Sequence, residues 1–328
     1  SNQAQTQVKY NNASIKSYAD EFAAGLVIGS GDVTALGDTN LDINVTNAGG
    51  VGEGIELNYG GDANDSSLRS TFNATGDTNI SLKSGADDIV LFGAMSTGAS
   101  ELTANNLSIA FDTQGQEKIE GTGLFASTDS TGKQEGAGKI TIKGDLDIDS
   151  SDVNHNGSWR YVVAENGGDI TLDGKIRLGV KNNAPDAIAL LAEKEGSQIT
   201  TTGKNLHVVG TIVSRESGLV NIDASDKSRF IGGFITSSDG VSNLALSDHS
   251  EWSMTKDSQL TNLTLNNSSL NFMHPGLQPK NASTNVAGFK TLLVNSDFVG
   301  SNGYLVMNTA LGDDSSLTDR LIVNGDTS

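Results

Sequence analysis

Apolar and polar positions alternate with a period of two along most of this chain. In Lys139-Ile140-Thr141-Ile142-Lys143-Gly144-Asp145-Leu146-Asp147-Ile148-Asp149, the residues Ile140, Ile142, Leu146 and Ile148 fall on one face, and the charged and hydroxylated residues fall on the other. That is the pattern of a half-buried strand, with a bend expected at Gly144. Similar segments are Leu41–Val45, Ile80–Leu82, Leu107–Phe111, Ile170–Leu172, Leu263–Leu265 and Leu292–Val294. From residue 80 to residue 292 such strands start on average about 26 residues apart, which suits one coil of a stacked β-solenoid.

A longer unit repeats on top of this alternation. A short apolar run, a small residue, a polar or acidic step and a glycine lead into the next β-branched strand. The unit reads Tyr161–Gly167 before Ile170, Ile188–Gly196 before Ile199, Ile212–Gly218 before Leu219, and Phe234–Gly240 before Leu244. Marked at Val162, Leu190, Ile212 and either Phe234 or Ile235, the copies lie 28, 22 and about 22 residues apart. Gly-Asp-Thr-Asn precedes a strand twice, at 37–40 and 76–79, so one turn starts the same strand in two coils. The expected fold is all-β, a single right-handed parallel β-helix of roughly a dozen coils and on the order of 60 Å long. The polar stretches Asn154–Arg160 and His274–Lys280 interrupt the pattern and read as excursions from the rod.

Composition narrows the class. With 39 Gly, 3 Pro and 5% aromatic residues in 328, the chain describes many short strands and tight turns rather than a large aromatic core. The formal charge of −19 repels nucleic acid and anionic lipid, so no nucleic-acid partner is expected. The absence of cysteine leaves no thiolate metal site, thiol nucleophile or disulfide, and suits a chain threaded unfolded through a membrane pore. No apolar run reaches the roughly 18 residues of a membrane span. No charged-then-apolar leader opens the chain, and Ser1-Asn2 reads as the scar on a processed fragment.

From Phe289 the text changes. It runs Phe289–Asn295, Phe298-Val299-Gly300, Gly303–Thr309, and then Leu311-Gly312-Asp313-Asp314-Ser315-Ser316-Leu317-Thr318-Asp319-Arg320-Leu321-Ile322-Val323-Asn324-Gly325-Asp326. This closely resembles the pertactin-like C-terminal segment of type V autotransporter passenger domains. The resemblance covers about forty residues, and the rest of the chain shares only the family's repeat style. It implies a division into a rod over 1–288 and C-terminal capping, autochaperone coils over 289–328, which in the family are the most stable part. It also implies export through the protein's own outer-membrane β-barrel, to the surface of a Gram-negative bacterium.

Candidate chemistry is sparse. The Gly-Asp-Ser-Gly motif of protease passengers is absent, as is Arg-Gly-Asp, and His155, His207, His249 and His274 show no metal-ligand or triad spacing. Asp145, Asp147 and Asp149 point the same way on one strand and are the best carboxylates for a polysaccharide lyase or hydrolase, although sharing a Ca²⁺ needs an adjacent coil. Trp159, Arg160 and Tyr161 bring an indole, a guanidinium and a phenol to the edge of a Gly/Asn-rich loop, residue types enriched at binding hot spots. Lys139, Lys143, Arg160, Lys175, Arg177, Lys204 and Arg215 form the central basic set open to a sulfated glycan.

These features lead to a bacterial surface adhesin that is not an enzyme and needs no cofactor or metal. A polar face of its rod is expected to bind a host matrix protein or a glycosaminoglycan-like glycan, or a second copy in aggregation. Binding would be multivalent, with many weak contacts on a rigid array. A polysaccharide-degrading β-helix is the alternative, followed by a secreted toxin or effector.

Overall fold

A computed structural model describes residues 6–58, 69–128, 136–237, 239–274, 288–310 and 316–328. Apart from His274, the excursion at 274–280 lies outside the described residues, as does the stretch 311–315. The described chain forms strands, turns and loops, with no helix. All strand pairs are parallel, and each joins one coil to the next. A coil contributes three strand segments, as in Asp169–Leu172, Ile176–Leu178 and Ile188–Glu193. Their equivalents stack into three columns, here called first, second and third.

The inward side of each column is an apolar ladder. In the second column Ile15, Leu41, Ile80, Ile109, Ile148, Leu178, Val208, Phe230, Trp252, Leu270 and Leu305 stand one above another. Ten rungs are buried or packed against the core, and full burial stabilises each by about 1.5–3 kcal/mol. The repeated unit of the sequence is the third column: Val162, Leu190, Ile212 and Phe234 stack in register. The bend anticipated at Gly144 separates the strands Lys139–Ile142 and Leu146–Ser150.

Two devices turn the corners. Asn205, Lys227, His249, Asn267 and Asn302 all take left-handed backbone, with φ between 49° and 63°, at the turn into the second column. Asn and Asp tolerate that conformation best, which explains their abundance at turns. In the third column Gly25, Gly54, Gly93 and Gly123 stack where the strand bends inward. A Cβ on Gly54 or Gly93 would lie 2.4 or 2.5 Å from the next carbonyl oxygen, so the coils close up only with glycine there.

Burial in the C-terminal coils is uneven. Leu292 and Val294 are fully buried, but Leu305 is 40% and Val306 50% exposed, and Tyr304 and Ile322 are also open. Their strands pair with a described neighbour on one side only. What holds this end is polar. Buried Asp319 accepts the Lys290 amide at 2.7 Å and both the Asn308 amide and side-chain Nδ2 at 2.7 Å, while Asn308 Nδ2 also donates to the Phe272 carbonyl at 2.6 Å. The Lys290 ammonium donates to the carbonyls of Gly288 and Met273. The Thr-Asp-Arg-Leu text is therefore a carboxylate clamp across coils.

Candidate functional site

The clearest repeated feature on the surface is a neutral polar ladder along the outward side of the first column. Thr34, Asn73, Thr103, Thr141, Thr171, Thr200, Asn221, Asn243 and Asn262 occupy consecutive rungs. At the parallel-strand spacing of about 4.8 Å, they form a straight row of hydroxyl and amide groups. At one end the amides are chained: Asn243 Nδ2 donates to Asn221 Oδ1 at 2.6 Å, and Asn262 Nδ2 donates to Asn243 Oδ1 at 2.8 Å. A shallow groove of about 170 Å³ runs beside this end between Thr200 and Thr264. Each amide keeps hydrogen-bonding capacity for a ligand after chaining.

A second row carries charge. Asp147, Arg177, His207, Arg229 and Glu251 are consecutive outward rungs of the second column. Arg177 approaches Asp147 at 3.7 Å. Burial, and then the charges of Arg177 and Arg229, hold the His207 imidazole below the ordinary histidine range. The adjacency of Arg177, His207 and Arg229 was not legible in the sequence, because they lie 30 and 22 residues apart.

The candidates picked from sequence are dispersed. Trp159 is 3% exposed and packs on Phe111 with ring centres 5.3 Å apart, and Tyr161 is wholly buried with its hydroxyl accepting Asn182 Nδ2 at 3.2 Å. Neither ring is open to stack on a ligand, and burial raises the Tyr161 phenol above its usual range. Arg160 projects outward from the third column, while Lys175 and Arg177 belong to the second column and its turn, so these three cations lie on two faces. Arg215 pairs with Glu193 at 2.6 Å, and Lys139 sits between Glu101 and Asp169. Lys143 and Lys204 fall at corners between the columns. The central basic set is not one patch.

The three aspartates also part company. Asp145 is exposed and accepts the Lys175 amide at 3.3 Å. Asp147 faces Arg177, yet burial outweighs that charge and raises its pKa. Asp149 is buried, accepting the amides of Ser150, Lys181 and Asn182 at 2.9, 2.6 and 3.0 Å. Among the described residues no three His, Asp or Glu side chains are grouped to hold a metal ion.

One acid is perturbed away from these candidates. Glu53 lies in the third column between Ala24 and Phe92, and burial, reinforced by the charge of Glu56, pushes its carboxyl up to about 7.

Comparison with known proteins bears on the end of the rod. Residues 258–328 match the family described as Autochaperone Domain Type 1. The match begins at the strand Ser258–Leu260, where the eight-stranded third column gives way to a separate three-stranded sheet. A stretch of 39 residues is 51% identical to the adhesin BmaC autotransporter of Brucella suis biovar 1 (strain 1330). The two matches support a type V autotransporter passenger domain. Such a passenger lies at the cell surface or outer membrane of a Gram-negative bacterium. The identical stretch covers 12% of this passenger and 1% of the length of that relative. No solved structure matches the passenger.

Proposed function

We propose that this passenger is an adhesin that binds a host matrix protein or glycan along the Thr34–Asn262 ladder. The continuity of that row over nine rungs supports the reading more than any single residue does. Each contact contributes on the order of 1 kcal/mol net, but a rigid row presents them in register, so the ordering cost is met by the fold and not by the complex. Sulfated glycans meet the neighbouring Arg177 and Arg229 guanidiniums, where a polyanion gains charge-assisted hydrogen bonds, with His207 between them as a neutral hydrogen-bonding group. The same ladder suits a second copy of the passenger in cell aggregation. Residues 258–328 serve as the folding template, and a β-barrel anchors the passenger to the outer membrane. The reading is non-enzymatic, supported by the engagement of Asp145 with the Lys175 amide, Asp147 with Arg177 and Asp149 with three backbone amides.

The test is an array of matrix proteins and of neutral and sulfated glycans probed with residues 1–328, run beside a polysaccharide-cleavage assay. Saturable binding without product release is the expected result. Release of oligosaccharide products from any polysaccharide, without retention on the array, would replace the adhesin by a β-helical hydrolase or lyase.

A further inference from the structure

The loop after Asp152 builds a cleft on the third column, on a face separate from the ladder. Asp152 is buried and accepts the amides of Asn156 and Gly157 at 3.2 and 2.7 Å and the indole N–H of Trp159 at 2.9 Å. This fixes the loop as a wall. The opposite wall is the segment 184–188, held by the ion pair of Asp186 with Lys256, whose ammonium also donates to Thr211 Oγ1 at 2.9 Å. Between them lies a cleft of about 770 Å³, within the size range of small-ligand sites.

The lining is chemically specific. Arg160 and Glu120 both reach this cleft, and among the described residues neither has an ion pair. Asp186, the other acid of the lining, is already neutralised by Lys256. His155 lines the same cleft with a buried Nδ1 that has no protein partner among the described residues. Asn156 adds an exposed amide, and Ala187 and Ile188 supply an apolar strip. A lone guanidinium beside hydrogen-bonding groups and a small apolar wall matches a sugar ring that carries a carboxylate.

We propose that this cleft binds a carboxylated sugar at the end of a glycan. The carboxylate pairs with Arg160, the ring hydroxyls engage Glu120, His155 and Asn156, and the apolar side of the ring rests on Ala187 and Ile188. The site deepens the glycan reading above and rests on it, but it is independent of the ladder.

The test is isothermal titration of residues 1–328 with sialyllactose, with a glucuronate-terminated disaccharide and with lactose as the neutral control, repeated on Arg160→Gln, Arg160→Lys and a ladder variant, Asn221→Ala with Asn243→Ala. At least one carboxylated probe should bind and lactose should not. Arg160→Gln should weaken binding by at least about tenfold, Arg160→Lys should restore part of it, and the ladder variant should bind as wild type. Melting temperatures should be unchanged at position 160, because among the described residues the Arg160 side chain makes no ion pair. Binding of lactose as tightly as sialyllactose, wild-type affinity in Arg160→Gln, or no binding of either carboxylated probe at millimolar concentration would overturn the cleft. Array binding that survives on the ladder in that event would leave the adhesin reading standing.

Discussion

Trp159 donates its indole N–H to Asp152 Oδ2 at 2.9 Å, and both side chains are buried. The loop that looked like an exposed binding motif is thus tied inward by one carboxylate that serves three donors. Removing that acceptor leaves buried N–H groups unpaired, the costly side of hydrogen-bond energetics. Asp152→Ala should lower unfolding free energy by on the order of 3 kcal/mol in urea titration. A loss below about 0.5 kcal/mol would mean that water replaces the carboxylate freely.

Glu53 makes stability depend on pH. Its folded pKa, about 7, lies above the ordinary glutamate value of 4.5, so the folded state binds the extra proton. The sign follows: this group's contribution is fully present below the unfolded pKa and is lost as pH rises through about 7. Glu53→Gln should therefore melt higher than wild type at pH 8, by on the order of 1 kcal/mol after solvent screening of a half-buried group, and the gap should close by pH 5. A gap independent of pH would contradict this.

Divalent metal should not matter to the fold. Asp149 is saturated by backbone amides and Asp147 faces Arg177, so a Ca²⁺ ion would have to displace existing partners. Millimolar Ca²⁺ should move the melting temperature by less than about 1 °C. A rise of several degrees would restore Asp145, Asp147 and Asp149 as ligands.

The C-terminal coils are held by the Asp319 clamp while much of their apolar surface stays open. Asp319→Ala should lower refolding yield severalfold, and deletion of 258–328 should do so far more than deletion of 1–40. Equal refolding of the two truncations would remove the template role.

Much of this was legible from residue patterns, and what was missed has a common cause. Alternation located the strands, and the marks at Val162, Leu190, Ile212 and Phe234 coincide with the register of the third column. Side-chain direction at a coil corner was not legible, because a strand bend places two successive residues inward, as at Tyr161 and Val162. Lateral neighbours were not legible either. Arg177, His207 and Arg229 meet only because coil lengths of 30 and 22 residues return the chain to the same column, and Arg160 sits in the third column of the coil before Lys175.

Adhesion of bacteria displaying the passenger tests the central claim most directly. Thr171→Glu, Thr200→Glu and Asn221→Glu together place three carboxylates on consecutive ladder rungs. Ser81→Glu, Ser253→Glu and Asn271→Glu place the same charge on outward positions of the second column. With both variants displayed and melting as wild type, the ladder variant should lose most attachment to matrix-coated or glycan-coated surfaces and the second-column variant should keep it. Wild-type attachment by the ladder variant, or equal loss in both, would contradict a ladder-borne adhesin.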